Sequence, residues 1–180
     1  DKTGSVILKR VQLAGNADDG TGNTPSGDRE SDGWLCTYYI YDDFEQLAAV
    51  IQPEGVAAIT TSSWTADATF TGKWMFVYKY DERHRMIEKK IPGAAKVLMV
   101  YDQWDRVVLT QDGNLRSTNE WVFTKYDELN RRVITGKITD TRSEVTIRTD
   151  VMNATGRYES LNTSVAEGYS LNQSYPSSAS

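Results

Sequence analysis

The chain has 180 residues, of which 39% are hydrophobic, and it carries a formal net charge of −5. This length allows one domain with a substantial core or two small domains, and the composition is that of a folded protein. The acidic balance argues against nucleic acid or an anionic membrane surface as the main partner. The single cysteine, Cys36, excludes an internal disulfide, and no run of about 18 apolar residues predicts a membrane-spanning segment.

The N-terminal part alternates predicted strands with loops. Residues 1–12 predict a turn followed by a strand. A flexible acidic loop is predicted at residues 14–33, which are rich in Gly, Asp, Asn, Ser and Thr. A second strand unit covers about residues 34–52. Residues 53–73 predict an inserted loop with a short helical turn, because Pro53 suits the start of a helix.

Residues 74–136 form the most regular block, with three runs in which side chains alternate between two faces. The runs occupy residues 74–80, 97–101 and 121–126. Their two-residue period predicts strands. Turn-forming residues stand between the runs, at Pro92-Gly93 and Asp112-Gly113-Asn114. Consecutive strands joined by short turns predict an antiparallel meander, because a parallel crossover needs a dozen or more residues.

The C-terminal part changes character. Residues 141–144 (TRSE) have the form of a helix capping box, and Val145, Thr149 and Met152 follow at helical spacing. This pattern predicts one short helix at about 141–152. Residues 156–180 predict short strands or loop.

The dipeptide Tyr-Asp recurs four times, each time where a strand ends and a turn begins. The copies are Tyr41-Asp42, Tyr80-Asp81, Tyr101-Asp102 and Tyr126-Asp127. The residue five places after the Tyr is Gln46 in the first copy and Arg85, Arg106 and Arg131 in the others. The first residues of the chain fit the same frame without its Tyr. A repeated strand-turn-strand unit predicts a structural building element rather than a site of chemistry.

Each residue type of the repeat suits a role in a hairpin turn. The Asp can accept a hydrogen bond from an amide two residues on, and the Arg can reach that carboxylate, turn carbonyls or the Tyr ring. The position four places after the Tyr should be left-handed, which suits Gly4 and Asn130 well and Glu45 poorly. An exposed Asp–Arg pair contributes only about 0–1 kcal/mol. We therefore expect burial of the Tyr and aliphatic side chains to supply most of the stability, about 1.5–3 kcal/mol each.

These repeats resemble those of the bacterial RHS/YD-repeat family. The likeness is carried by FVYKYDERHRMIEKKIPG at 76–93 and MVYDQWDRVVLTQDG at 99–113, with shorter matches near residues 1–10 and 39–44. The resemblance implies a large secreted or surface-attached polypeptide whose hairpins wind into a hollow β-shell. In related toxin complexes the shell encloses a toxic domain, and other members are described as carbohydrate-binding or cell-wall associated. Nothing matches the family's self-cleaving core segment, so we carry over no proteolytic role.

Candidate catalytic and metal-binding residues are sparse. The one histidine, His84, lies in a charged turn and is explained as a solvated turn residue. Because each motif Asp is explained by its turn, we expect no catalytic residue and no cofactor. A hydrolase with dispersed carboxylates is a further alternative. Residues 18–23 (DDGTGN) lack the spacing of a calcium loop, so we expect no metal site.

Aromatic side chains offer an alternative, because exposed rings can stack on sugars. The candidates are Trp64, Trp74, Trp104 and Trp121. Trp104 stands out because it occupies a turn position. Aromatic residues are also ordinary cross-strand partners in sheets, which is the simpler explanation.

Together these patterns predict a mainly β protein, a meander of Tyr-Asp hairpins in a curved, open sheet with one helix near 141–152. We divide it into a hairpin region at 1–140 and a segment of the same architecture at 141–180. The leading hypothesis is a non-catalytic, extracellular or cell-surface shell segment. Its partners would be other repeats of the same polypeptide, with an enclosed toxin domain or a surface glycan. The alternative is a carbohydrate-binding module.

Overall fold

The computed structural model describes residues 4–12, 34–61 and 65–177. These residues form two compact units, Asp1–Ala95 and Lys96–Ser180. The units divide between the second and third Tyr-Asp turns, whereas the sequence pattern places a boundary at residue 140. The predicted acidic loop at 14–33 lies outside the described residues.

In its described residues, the first unit contains five strands and two helices. They are β1 (Leu8–Gln12), β2 (Trp34–Tyr41), β3 (Leu47–Ile51), α1 (Pro53–Thr61), α2 (Ala68–Trp74), β4 (Met75–Tyr80) and β5 (Met86–Lys90). Each strand pairs antiparallel with the next one in the chain, so the strand order is linear. The core is made by one side of the strands and by α1. Its buried residues are Cys36, Ala49, Ile51, Val56, Ile59 and Met75.

The segment predicted as an inserted loop with a short helical turn holds two helices instead. Helix α1 starts at Pro53. Helix α2 is capped by Asp67, whose Oδ1 accepts the Phe70 amide at 2.7 Å. Gly55 lets α1 approach its neighbours closely, because a Cβ there would lie 2.8 Å from Trp74 Cβ. The prediction missed α2 because its seven residues are too few to show a clear helical period.

The second unit, as far as the structure describes it, contains four strands and two helices. They are β6 (Val97–Tyr101), β7 (Val107–Gln111), α3 (Gly113–Ser117), β8 (Glu120–Tyr126), β9 (Arg132–Thr139) and α4 (Glu144–Asn153). The strands again pair antiparallel in linear order. The buried core residues are Leu98, Val100, Val108, Leu109, Trp121, Phe123, Ile147 and Val151. The Asp112-Gly113-Asn114 sequence, predicted as a turn, starts α3, because Asp112 Oδ1 caps it by accepting the Leu115 amide.

Helix α4 is present where the sequence predicts it, but its buried face differs. Ile147 and Val151, four residues apart, pack into the core. Val145, predicted on the apolar face, is 74% exposed. The helix begins after Ser143, whose Oγ accepts the Thr146 amide. The sequence pattern grouped Val145, Thr149 and Met152 on one face of the helix. The face that is buried is the opposite one, which carries Ile147 and Val151.

The predicted fold class is confirmed, since each unit is an open antiparallel meander of hairpins. Four helices occur in the described part of the chain, rather than the one that the sequence predicts. After α4 the chain continues as loop with one isolated bridge, between Leu161 and Tyr169. None of the helices in the described ranges has the length and hydropathy to cross a bilayer.

Candidate functional site: the Tyr-Asp turns

In all four Tyr-Asp turns, the Asp side chain accepts the same hydrogen bonds from backbone amides of the turn. The turns are the first (residues 41–46), second (80–85), third (101–106) and fourth (126–131). In the third, Asp102 Oδ1 accepts the Trp104 amide at 2.9 Å and the Arg106 amide at 3.0 Å. Asp42, Asp81 and Asp127 accept the amides two and four residues on in the same way. One carboxylate oxygen thus ties down each chain reversal, as expected of an Asx-type turn.

The residue four places after each Tyr adopts left-handed backbone. The φ angles are 62° at Glu45, 61° at His84, 64° at Asp105 and 59° at Asn130. Gly4 occupies the same place in the partial first frame, with φ of 89°. A register shift precedes each Tyr by one residue, so every hairpin contains a bulge at the same point. The four turns are therefore copies in conformation as well as in sequence.

Three turns add a guanidinium to the Asp carboxylate. Arg85 and Arg106 donate through both Nε and Nη2 to Oδ2 of Asp81 and Asp102. Arg131 donates only its Nε to Asp127 Oδ2, at 2.6 Å. Gln46 replaces the arginine in the first turn. Since the first turn keeps the same backbone bonds, the guanidinium is not needed to form the turn.

Three of the motif tyrosines, Tyr41, Tyr80 and Tyr126, link their hairpin to the strand or hairpin before it. The hydroxyl of Tyr80 donates to the Leu47 carbonyl at 3.1 Å, and that of Tyr126 to the Val107 carbonyl at 2.8 Å. Tyr41 donates to the Val6 carbonyl at 3.1 Å. In each case the acceptor lies at the same place in the preceding copy of the repeat: Leu47 is six residues after Tyr41, and Val107 is six residues after Tyr101. The rings are half-buried, and that of Tyr126 packs against the core of the second unit.

The side chain five places after the Tyr connects neighbouring turns within each unit. Gln46 Nε2 donates to the His84 carbonyl at 3.4 Å. Arg106 Nη1 donates to Asn130 Oδ1 at 3.1 Å, and its guanidinium lies 4.7 Å from the Tyr126 ring centroid. The His84 and Phe44 rings also meet edge to face, with 5.7 Å between their centroids. These contacts account for His84 as a turn residue.

The ionisable groups of the turns are shifted by burial and by their partners. Burial raises the pKa of the Tyr80 and Tyr126 hydroxyls. For Asp81 and Asp127, burial alone would raise the pKa, but hydrogen bonds from arginine and turn amides outweigh it and lower the pKa. Both carboxylates therefore stay ionised and fully engaged, which leaves them poorly suited to act as general acids.

A buried ion pair, which we call the C-terminal clasp, fastens residues 159–176 to β8. Lys125 and Glu159 are each about 1% exposed, and Lys125 Nζ lies 3.0 Å from Glu159 Oε1. Lys125 Nζ also donates to the carbonyls of Leu171, Ser174 and Pro176. Glu159 accepts bonds from Ser170 Oγ, the Gln173 amide and both the amide and hydroxyl of Ser174. Burial opposes ionisation, but these bonds prevail and lower the pKa of Glu159 from 4.5 to about 2.

The sequence analysis missed this clasp, although one signal was present. Trp121, Phe123 and Lys125 alternate on one face of β8, and all three are buried. A lysine in register with two aromatic core residues requires a buried carboxylate partner. The partner lies 34 residues away in a loop, so the sequence does not identify it.

The four candidate tryptophans have different environments. Trp121 is 2% exposed in the core of the second unit, so it has no face available to a sugar, which corrects its assignment as a candidate. Trp74 is half-buried with Lys73 Nζ 4.4 Å from its ring centroid. Trp104 is half-buried beside the guanidinium groups of Arg106 and Arg157, at 5.3 and 5.8 Å. Trp64 lies outside the described residues. Carbohydrate binding therefore stays a prediction that concerns Trp64, Trp74 and Trp104.

A cleft of about 220 Å³ lies beside the fourth turn. It is lined by residues 127, 128 and 131 of the turn and by residues 158–161 and 169. Tyr158, Tyr169 and Leu161 supply its apolar surface. Within residues 4–12, 34–61 and 65–177, no three His, Cys, Asp or Glu side chains cluster as metal ligands would. Residues 18–23, for which the sequence analysis expects no metal site, lie outside these ranges.

Comparison with known proteins supports the fold. No protein-family model matches the chain, and no curated protein matches it. Among solved structures it is similar to the crystal structure of TcdB2-TccC3-TEV, with a TM-score of 0.53 and 18% sequence identity over 79% of this chain. The chain spans only 6% of the length of that chain. At this identity the likeness shows a shared hairpin fold and nothing more.

Proposed function

We propose that this chain is a non-catalytic wall segment of a large RHS/YD-repeat polypeptide that is secreted or attached to a cell surface. Its hairpins would form part of a β-shell that encloses or displays another part of the same polypeptide. The observation that carries the proposal is the link from three of the four motif tyrosines to the hairpin before each of them. Tyr41, Tyr80 and Tyr126 all donate to the carbonyl in the same register.

Such links are what an extendable wall requires. Each hairpin carries its own turn, and the first, second and fourth also carry a tyrosine donor that bonds to the preceding segment. Because a two-stranded hairpin is only marginally stable by itself, each one depends on the next for stability. The fold likeness to TcdB2-TccC3-TEV is consistent with this role.

The chemistry of the motif residues supports a structural rather than a catalytic assignment. A general acid or base needs a proton that can be exchanged with substrate. The motif carboxylates are occupied by turn amides and, in three turns, by arginine. We therefore propose that activity of the whole polypeptide, where present, belongs to another of its domains.

Limited proteolysis of the complete polypeptide that contains this chain tests the proposal. We expect a segment elsewhere in that polypeptide to resist cleavage in the wild type. Combined replacement of Asp81, Asp102 and Asp127 by Ala should open the wall and make that segment cleavable. The matched control replaces the exposed Asp43, Glu82 and Glu128 by Ala and should leave protection unchanged. Equal cleavage of all three proteins would contradict an enclosing role.

A further inference from the structure

The C-terminal clasp surrounds its lysine with more oxygen atoms than one ammonium group can donate to. Lys125 Nζ lies 3.0 Å from Glu159 Oε1. It also donates to three main-chain carbonyls, those of Leu171, Ser174 and Pro176. An ammonium group carries three N–H donors, so four acceptors use all of them. Because the two side chains are 1% and 0% exposed, this shell of oxygens is closed to solvent.

The four oxygens belong to one loop, residues 159–176, whereas the nitrogen comes from β8. The loop is tied together by its own hydrogen bonds. The Ser170 amide donates to the Ser160 carbonyl at 2.9 Å. The Ser160 amide and hydroxyl both donate to Gln173 Oε1, at 3.1 and 2.8 Å. The loop therefore builds the oxygen shell from its own residues, and Lys125 fills it.

The carboxylate in the shell is oriented by donors of the same loop. Glu159 Oε2 accepts the Ser170 hydroxyl at 2.7 Å and the Gln173 amide at 3.1 Å. Its Oε1 accepts the Ser174 amide and hydroxyl, at 2.9 and 2.7 Å. One fixed carboxylate together with main-chain carbonyls is a set of ligands suited to a compact cation. The loop is thus arranged to receive a positive charge.

We propose that residues 159–176 form a binding loop for a primary ammonium group, and that this chain fills the loop with its own Lys125. Four oxygens around one nitrogen match a compact ammonium, whereas a planar guanidinium needs its acceptors in the geometry of a fork. Removing the ammonium leaves a buried carboxylate and three carbonyls without their donor, which is costly. Binding of the ammonium therefore fastens the loop to β8. This role is independent of the proposed wall.

Chemical rescue of Lys125→Ala in the 180-residue chain tests the proposal. The probe is n-propylammonium, which is the part of the lysine side chain that this substitution removes. Urea unfolding is followed by the amide signals of second-unit strands, and Lys125→Ala should lower the midpoint. For an ion of this size we expect a Kd of about 10 mM. At ten times its Kd, the ion should raise the folding equilibrium constant of the variant about tenfold.

Two other compounds separate recognition of the ammonium from simpler effects. 1-Propanol fills the same space without a charge, and tetramethylammonium carries the charge without an N–H donor. Each should raise the folding equilibrium constant of Lys125→Ala by less than about twofold at the same concentration. The wild type should not respond to n-propylammonium, because its site is filled. Lys137→Ala, which removes a lysine that is 59% exposed, should not respond either.

Two further variants test the shell itself. Adding Glu159→Gln to Lys125→Ala should weaken the rescue by n-propylammonium at least about tenfold, because a charge-assisted bond is lost. Lys125→Arg keeps the charge but not the shape, so it should stay destabilised. Rescue of equal size by 1-propanol or tetramethylammonium would overturn the proposal. So would a wild-type urea midpoint in Lys125→Arg, or full rescue in the double variant.

The wild type provides a second measurement in case Lys125→Ala does not fold at any n-propylammonium concentration. In protein labelled with ¹⁵N-lysine, the Lys125 Nζ protons should exchange with water at least about a hundredfold more slowly than those of the exposed Lys137. Such slow exchange supports an enclosed ammonium. Equal exchange at the two lysines would exclude one.

Discussion

The first and third turns share one backbone but differ in side chains and surroundings. Asp42 and Asp102 accept the same two amides, and Glu45 and Asp105 are both left-handed. The neutral side chain of Gln46 forms no ion pair with Asp42. In the third turn, the Arg106 guanidinium donates to the Asp102 carboxylate through both Nε and Nη2. The comparison teaches that the Asp and the left-handed residue form the turn, while the arginine attaches it to other segments.

The third turn is also held from outside. Gln103 Nε2 donates to the Ala154 carbonyl at 2.8 Å, and Arg106 donates to the Arg157 carbonyl. The segment that supplies these carbonyls is anchored a few residues later by the C-terminal clasp. Among the described residues, the first turn reaches other segments through exposed contacts: the Tyr41 bond to Val6, the 3.4 Å bond from Gln46 to His84 and the Phe44–His84 ring contact. We therefore expect amides of the first turn to exchange with solvent faster than those of the third turn.

Replacing Glu159 by Ala should have the largest effect and should abolish that difference. The change leaves Lys125 buried without its counter-charge, so the second unit should lose about 3–5 kcal/mol of unfolding free energy. Urea unfolding gives the loss, and hydrogen exchange of the Trp104 and Arg106 amides should approach that of the first turn. Glu167→Ala, an exposed change in the same segment, is the control. A third turn that stays fully protected in Glu159→Ala would show that the clasp does not support it.

Acid should weaken the same anchor without a mutation. The pKa of Glu159 falls from 4.5 to about 2 on folding, so its contribution is present above pH 4.5 and is lost as pH falls toward 2. The lowered pKa values of Asp81 and Asp127 act in the same direction. We expect the urea midpoint to fall between pH 5 and pH 3, with a smaller fall in Glu159→Gln. An exposed control, Glu82→Gln, should follow the wild type. Identical pH profiles for all three proteins would exclude this linkage.

Removing the turn carboxylates should cost more unfolding free energy in the third turn than in the first. Asp102→Ala frees two amides and deprives the half-buried Arg106 of its partner, so we expect a loss of about 3 kcal/mol. Asp42→Ala frees two amides in a more exposed turn and should cost about 1–2 kcal/mol. Chemical denaturation measures both, with Asp43→Ala as a neighbouring surface control. Equal losses would mean that the guanidinium adds nothing to the third turn.

Converting the third turn to the composition of the first isolates the guanidinium. Arg106→Gln keeps the Asp102–amide bonds and removes the ionic contact and the bond to Arg157, so we expect a loss of about 1–2 kcal/mol. The Trp104 and Asp105 amide shifts should remain those of an intact turn. Arg132→Gln controls for charge. Collapse of the turn signals in Arg106→Gln would refute the view that Asp alone suffices to form it.

Relieving backbone strain should have the smallest effect and the opposite sign. Glu45→Gly removes a Cβ from a residue with φ of 62° and should stabilise the first unit by about 0.5–1 kcal/mol. The melting temperature should rise accordingly. Glu54→Gly, within helix α1, should instead lower it. Any destabilisation by Glu45→Gly would indicate that the glutamate side chain makes a contact worth more than the strain.

Local patterns predicted the turns well, because each turn is built from residues within six positions of one another. The Asp acceptor, the left-handed position and the arginine fork all follow from short-range chemistry. The alternating runs likewise predicted the strands, since a two-residue period is a local property. Short helices such as α2 and α3 were missed because the few residues after their capping aspartates, Asp67 and Asp112, show no helical period of apolar side chains.

Long-range pairings were beyond such reasoning. The phenol-to-carbonyl links join residues 19 to 35 positions apart, and the acceptor is a main-chain atom that leaves no mark in the sequence. The cleft similarly depends on where the loop that contains Tyr158 and Tyr169 returns to the fourth turn. These features require coordinates, because they arise from the packing of distant segments rather than from the properties of any one of them.

The choice of a main-chain oxygen as the tyrosine's acceptor has an evolutionary consequence. Every residue offers that atom whatever its side chain, so a neighbouring hairpin can change nearly all of its sequence and still be recognised. Duplication or loss of a whole unit leaves a tyrosine link of this kind chemically intact, because the link needs only a main-chain acceptor in the preceding hairpin. Arrays of this kind can grow or shrink in length without redesign of their interfaces.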